Sequence, residues 1–267
     1  MDAVPFLGLQ PTDDPLAFRL PVTADSCVGS GFLFGGAALG TSIEALEAAS
    51  GRPLIWATCQ YLSYARPPSV LDLRVTIAAA GRQTTQARCT GTAEDGTEIF
   101  TVNAALGSRP MAEEGEWALL PDVPAPADAE VRQLHDDQAD SVMRHIEMRM
   151  ADARQWEDLD GTPGDGRSAL WARVPGVPMS AAVLGLLGDW VPFGIGQALG
   201  VRGGGNSLDN TIRIARVVPT EWVLLDIRVH AVASGFGHGL VHLWAEDGTL
   251  LATASQSTIV RFWKDEG

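Results

Sequence analysis

The chain has 267 residues, of which 46 % are hydrophobic and 19 % are charged, and its formal net charge is −14. The apolar content is sufficient for a substantial core and argues against disorder, while the acidic balance argues against a nucleic-acid partner, which would require a basic surface. The sequence has neither a run of 18 apolar residues nor a basic N-terminal region followed by an apolar stretch. This pattern predicts a cytoplasmic protein without a membrane span.

The first half begins with a predicted strand, and a helix with apolar residues at helical spacing follows a glycine-rich approach. Gly51 and Pro53 end this helix. The predicted elements of this half are a strand over 17–22, a helix over 37–49, strands over 55–64 and 70–78, and a hairpin that turns at Asp95-Gly96.

Prolines and acidic residues then separate the chain into two parts. We predict an N-terminal unit over 1–112, a linker over 113–135 and a C-terminal unit over 136–267 that carries the candidate site.

The second half repeats the plan of the first. Its predicted elements are strands over 144–150 and 169–174, an apolar helical segment over 179–199, strands over 207–215 and 222–232, and a hairpin turning at Asp247-Gly248. Gly203-Gly204-Gly205, between them, predicts a flexible loop. Each half is therefore expected to contain one long helix followed by an antiparallel sheet, which is an α+β plan.

Two short strings occur twice in the same order. Residues 93–97, Ala-Glu-Asp-Gly-Thr, return unchanged at 245–249, and residues 70–75 resemble residues 224–229. Similar strings at nearly constant separation indicate a duplicated structural unit.

The cysteines and histidines do not form a ligand pattern. Cys27, Cys59 and Cys89 are odd in number and widely spaced, which predicts buried free thiols instead of a zinc site or disulfides. His238 and His242 lie on a predicted strand without a third ligand nearby. We therefore expect no metal and no other cofactor.

A helix packed on an antiparallel sheet, written twice in one chain, resembles the double hotdog fold, in which each of two fused repeats wraps its sheet around a long central helix. Phe34-Gly35-Gly36, Ser207-Leu208-Asp209 and the run 246–252 leading to Gln256 resemble the acyl-CoA thioesterase II (TesB-like) family. This resemblance implies hydrolysis of acyl-CoA to free CoA and a carboxylic acid, a role in fatty acid metabolism and an acyl-CoA substrate. It also suggests a homo-oligomer.

In that family an Asp, a Thr or Ser, and a Gln of the second half hold the attacking water. The resemblance matches the Asp to Asp209 and the Gln to Gln256, whereas the hydroxyl position falls on His230, which departs from the family pattern. A partly buried carboxylate has a raised pKa suited to a general base, and an amide can orient water without competing for its proton. We therefore predict Asp209, Gln256 and His230 as catalytic residues.

The internal alignment supports the same three positions. Asp209, His230 and Gln256 are polar where the first copy carries Cys59, Thr76 and Ala104, and a polar group present in one copy is not required by the fold.

Asp189 is a charged residue within the apolar segment 179–199, and the resemblance makes it a candidate for substrate binding. A hydrogen bond at a helix end is the alternative interpretation.

Two other functions fit the same fold. One is a non-catalytic acyl-binding or acyl-CoA-binding protein, which the histidine at position 230 would favour. The other is an enoyl-CoA hydratase-like enzyme, although no loop carries the closely spaced Asp and His of such enzymes. No G-x-S-x-G motif is present, so direct attack by water is preferred over an acyl-enzyme.

Overall fold

The computed structural model describes residues 5–262, without the side chain of Asp137. The strands form one antiparallel sheet with the strand order β1-β2-β4-β5-β6-β3-β11-β14-β13-β12-β9-β8-β7, and β10 pairs with β14 beside this path. The strands are β1 (Gln10–Pro11), β2 (Ala17–Val22), β3 (Leu54–Tyr61), β4 (Ser69–Ala80), β5 (Thr84–Thr92), β6 (Glu98–Gly107), β7 (Glu130–Val131), β8 (Glu147–Asp152), β9 (Arg167–Arg173), β10 (Gly203–Ser207), β11 (Asp209–Ile214), β12 (Val223–Ala233), β13 (Phe236–Ala245) and β14 (Leu250–Phe262).

The two halves of the chain join in the middle of this sheet. β3 of the first half pairs antiparallel with β11 of the second half, and Thr58 lies directly opposite Thr211. The hydroxyl groups of these two threonines are hydrogen bonded at 2.5 Å. The halves therefore share a continuous backbone hydrogen-bond ladder.

The first half contains one long, mostly buried helix, α1 (Gly35–Ser50), as predicted. It ends at Gly51, whose left-handed backbone (φ 64°) is the conformation that glycine adopts most readily at a helix C-terminus. A short helix of the second half, α2 (Ala181–Leu187), packs against it. A side chain on Gly40 would lie 2.9 Å from the carbonyl oxygen of Ala182, so glycine permits the close contact between the helices.

The long helix predicted over 179–199 in the second half is wrong, because the segment is broken. α2 ends at Leu187, and a third helix, α3 (Val191–Leu199), begins after Gly188, Asp189 and Trp190. Pro192 lies in the first turn of α3, where its missing N–H is tolerated, whereas in a continuous helix its ring would clash with the carbonyl of Gly188. By length and composition residues 181–199 could cross a membrane, but 78 % of this apolar window is buried inside the fold.

The remaining predicted elements agree with the structure except at the glycine run. Residues 203–205 belong to strand β10 and do not form a flexible loop. A side chain on Gly205 would overlap the Thr258 hydroxyl on β14, so the small residue allows the two strands to approach. The three cysteines are buried free thiols, as predicted.

The segment between the halves packs on the outer face of the second half. Ala118 and Val123 contact a cluster of buried residues that includes Trp171, Trp222 and Trp244. The indole N–H of Trp171 donates to the carbonyl of Pro124 at 2.8 Å. This segment is therefore an integral part of the fold.

Candidate active site

A buried carboxylate lies at the break between α2 and α3. Asp189 is only 6 % exposed, and the side chain of Ser207, at the end of β10, donates to it at 3.2 Å. The helix break is what makes this arrangement possible, because it releases Asp189 from the helical repeat and directs the carboxylate towards the sheet.

Gln256, near the middle of β14, connects the carboxylate to the sheet. Its side chain is 2 % exposed, and its Nε2 group donates both to Asp189 and to the Ser207 hydroxyl, the latter at 3.0 Å. Its Oε1 atom accepts the backbone N–H of Val191 at 3.0 Å. This last bond fixes the orientation of the amide, so that the NH₂ group faces the carboxylate.

The environment of Asp189 raises the pKa of its carboxyl group to about 6, from an ordinary value of 3.8. Burial is the main cause, because it disfavours the charged form. Hydrogen bonds from Gln256, from Ser207 and from the backbone N–H of Gly36 oppose the effect of burial. The resulting pKa lies in the range that suits a general base near neutral pH.

The first half completes the site with the N-terminus of α1. Gly35 and Gly36 form its first turn, and a side chain on Gly35 would overlap the carboxylate of Asp189 and lie 2.9 Å from the Tyr61 hydroxyl. Tyr61 donates to the carbonyl of Gly35 at 2.8 Å, which fixes this turn. The partial positive charge of the helix N-terminus is thus directed at the carboxylate and its surroundings.

Asp209, which we predict as a catalytic residue, forms a hydrogen bond to the backbone in the structure. It begins β11, and its carboxylate accepts the backbone N–H of Ser257 at 2.9 Å, at the point where β14 changes partner from β10 to β11. Both Asp209 and Asp189 lie near the buried thiol of Cys59, whose pKa is raised by burial and further by the two carboxylates. Among the described residues, Asp189 and not Asp209 contacts the side chain of Gln256.

His230 does not join Gln256 in the structure. It is an exposed residue of β12, at an irregularity between Val229 and Ala231, and its ring packs edge-to-face on His238 with centroids 5.8 Å apart. Gln256 pairs with Gly239, which in turn pairs with Val229, so His230 lies roughly 10 Å away, two strands across the sheet. In the described part of the chain, the site contains no histidine.

Two of the candidate residues predicted from the sequence, Gln256 and Asp189, are therefore in contact, and Ser207, which was not predicted, contacts both. The string Ser207-Leu208-Asp209, which resembles the family, contains this hydroxyl as well as the Asp209 carboxylate that we predict as a catalytic group. The arrangement of Asp189, Ser207 and Gln256 has the Asp, the Ser and the Gln that the family resemblance implied, with no departure at the hydroxyl. Within residues 5–262 no group of three His, Cys, Asp or Glu side chains is placed to hold a metal ion.

Comparison with known proteins bears on both halves of the chain. A family model described as the acyl-CoA thioesterase C-terminal domain matches residues 121–260, and one described as the acyl-CoA thioesterase N-terminal domain matches residues 23–107. A search of the curated proteins finds no match.

Solved structures resemble the whole chain. A candidate thioesterase from Novosphingobium aromaticivorans is 34 % identical, with a TM-score of 0.84, over 95 % of this chain and 98 % of the other. A hot dog fold protein from Alicyclobacillus acidocaldarius is 20 % identical, with a TM-score of 0.83, over 98 % and 100 % of the two chains. The acyl-CoA thioesterase II TesB2 from Mycobacterium marinum is 18 % identical, with a TM-score of 0.73, over 97 % and 98 %. With family models matched in both halves and this hotdog architecture, the chain belongs to the acyl-CoA thioesterase family.

Proposed function

We propose that this thioester hydrolase cleaves acyl-CoA by direct attack of a water molecule held by Asp189, Ser207 and Gln256. The observation that carries the proposal is the closed hydrogen-bond network of these three side chains at the N-terminus of α1. Membership in the acyl-CoA thioesterase family supports CoA esters as the substrate class.

The three side chains have complementary tasks in this mechanism. Asp189 accepts a proton from water as the water oxygen forms a bond to the thioester carbonyl carbon. Gln256 orients the carboxylate through its NH₂ group, and Ser207 offers a hydroxyl that both donates and accepts. The protonated Asp189 then returns the proton to the departing sulfur, so that the products are free CoA and a carboxylic acid.

The negative charge that develops on the carbonyl oxygen needs stabilisation. The first-turn N–H groups of α1 and the partial positive charge at this helix end lie beside Asp189. Backbone donors of this kind stabilise an oxyanion without reorganising during the reaction. We assign this task to the first turn of α1 as a whole, because the N–H of Gly36 already donates to Asp189.

We also infer that the chain is a double hotdog, with units over 1–112 and 136–267 joined by residues 113–135. The antiparallel join of β3 and β11 and the packing of α1 against α2 support two related units placed back to back. The broken second helix is then a departure from the regular repeat at the position where the active site requires it.

A thiol-release assay with saturated acyl-CoA esters of increasing chain length tests the function. We expect release of free CoA by the wild type and at least ~10²-fold slower release by Asp189→Asn. No release from any ester, together with a melting temperature that rises on addition of acyl-CoA, would instead identify a binding protein.

A further inference from the structure

Arg132 is a half-buried residue, and its guanidinium group has a buried nitrogen that finds no hydrogen-bond partner among the described residues. It directly follows β7, and its backbone N–H donates to the carbonyl of Met148 at 3.0 Å, which anchors the residue to the edge of the sheet. In its guanidinium group, Nη2 reaches Oε1 of Gln138 at 3.4 Å, whereas Nη1 is buried and has no hydrogen-bond partner.

Apart from the Asp137 side chain, which the structure does not describe, no carboxylate of residues 5–262 forms an ion pair with Arg132. Burial alone lowers the pKa of this guanidinium group to about 10, so the group remains charged at neutral pH. Buried charges in proteins are normally paired, because an unpaired charge in a poorly solvated position is unfavourable. The unpaired Nη1 group thus points to a partner other than the described carboxylates.

A second unpaired donor lies against the first. The guanidinium carbon of Arg132 is 5.5 Å from the centre of the Trp190 ring, and the indole Nε1 of Trp190 is buried without an acceptor. Trp190 is 5 % exposed and packs edge-to-face on Phe193. Two buried donors and an aromatic wall therefore occupy one location.

This location adjoins the proposed catalytic network. Trp190 lies between Asp189 and Val191 in the chain. The Asp189 carboxylate accepts a hydrogen bond from Gln256, and the backbone N–H of Val191 donates to the Gln256 side chain. An acyl group whose carbonyl reacts beside Asp189 would have its chain near Trp190. Arg132 as a whole residue remains partly exposed, although its Nη1 atom is buried.

We propose that Arg132 and Trp190 bind a carboxylate at the far end of the acyl group, so that the preferred substrates are ω-carboxyacyl-CoA esters. The planar guanidinium group matches a carboxylate in geometry and charge, and the indole N–H adds a third donor. The aromatic rings contact the methylene groups between the two ends. This inference depends on the proposed thioesterase function, which supplies the acyl-CoA as substrate.

The test compares two esters that differ only at the far end, glutaryl-CoA with a carboxylate and valeryl-CoA with a methyl group. We expect the wild type to prefer glutaryl-CoA in kcat/KM, and Arg132→Met to lower the ratio of the two values at least about tenfold. Trp190→Phe, which keeps a ring and removes the donor, should lower the ratio less, and it provides a second variant if Arg132→Met does not fold. A ratio that is unchanged in both variants would overturn the inference.

Arg149→Met is a matched control. Arg149 also stacks on a tryptophan, with its guanidinium carbon 5.3 Å from the Trp222 ring, but it pairs with Glu147 at 3.5 Å. In Arg149→Met, the ratio of kcat/KM for glutaryl-CoA to kcat/KM for valeryl-CoA should equal that of the wild type. An equal fall for both esters in Arg132→Met would mean that Arg132 binds the CoA part or supports the fold, and it would also overturn the inference.

A binding measurement separates this inference from the proposed function. Glutarate alone should raise the melting temperature of the wild type and of Asp189→Asn, and it should not raise that of Arg132→Met. Valerate should have no such effect. Absence of thiol release from every ester would refute the thioesterase proposal, whereas absence of the glutarate effect would refute the role of Arg132.

Discussion

Replacing Asp189 by Asn tests how the buried carboxylate affects both catalysis and the stability of the fold. The amide has nearly the same size as the carboxylate, and its oxygen still accepts hydrogen bonds from Gln256 and Ser207 in the observed arrangement. It cannot take a proton from water. We expect kcat to fall by ~10²-fold or more while the fold is retained.

The same substitution has a predictable effect on stability. The folded-state pKa of about 6 exceeds the ordinary value of 3.8 by about two units, which corresponds to roughly 3 kcal/mol of unfolding free energy. Between these two pH values the folded chain binds more protons at Asp189 than the unfolded chain does. The contribution of this group to stability is therefore present below about pH 4 and is lost as the pH rises through about 6.

Asp189→Asn removes this pH dependence. Urea unfolding should show the variant to be more stable than the wild type at pH 7, by at most about 3 kcal/mol, and the difference should vanish near pH 4. In the wild type, kcat/KM should rise with pH up to about 6 and then level off, because only the ionised carboxylate is a base.

Asp209→Asn is the matched control, because Asp209 caps a backbone N–H and does not contact Gln256. Its activity should remain within about threefold of the wild type. Normal activity in Asp189→Asn, or a loss of equal size in Asp209→Asn, would refute the assignment of Asp189 as the base.

Three further substitutions test the rest of the site. Gln256→Glu replaces the donor to Asp189 by a second carboxylate, so thiol release should fall at least ~10-fold. Urea unfolding should show this variant to be less stable at pH 8 than at pH 5, and wild-type activity in the variant would contradict the proposed network. Gly35→Ala places a methyl group against Asp189 and Tyr61, and we expect a lower melting temperature and at least ~10-fold slower thiol release. His230→Ala should leave kcat/KM within about twofold, and a larger loss would return this histidine to the mechanism.

Much of the fold was predictable from the sequence because its signals are local. The Asp-Gly turns at 95–96 and 247–248 each connect two strands of a hairpin, as this dipeptide predicts. The helix over 37–49 was recognisable from its apolar spacing and from the glycine that ends it. Hydrogen-bond geometry within a few residues determines such features, so a single sequence suffices.

The site was only partly predictable because it depends on contacts between distant segments. Residues 179–199 are apolar throughout, and apolarity alone does not show where a buried helix breaks. Pro192 was the available signal, since a proline cannot continue a helix that precedes it but is tolerated in the first turn of a new one. With the break located, Asp189 is recognisable as the carboxylate that leaves the helix, whereas its contact with Ser207 depends on the tertiary structure.

Strand pairing identifies the residue of the first half that corresponds to Gln256. Thr58 on β3 lies opposite Asn103 on β6, and Thr211 on β11 lies opposite Ser255 on β14. Thr58 and Thr211 face each other at the join of the halves. Ala104, which follows Asn103, therefore corresponds to Gln256, which follows Ser255.

These corresponding positions carry different groups. Ala104 is buried and has only a methyl group, so the first half cannot hold a carboxylate as Gln256 does. The first half instead provides the N-terminus of α1, with Gly36 donating to Asp189. In the proposed mechanism each half thus supplies a component that the other lacks. A C-terminal unit expressed alone would keep Asp189, Ser207 and Gln256 but would lose the helix end, and we expect it to hydrolyse no acyl-CoA even if it folds.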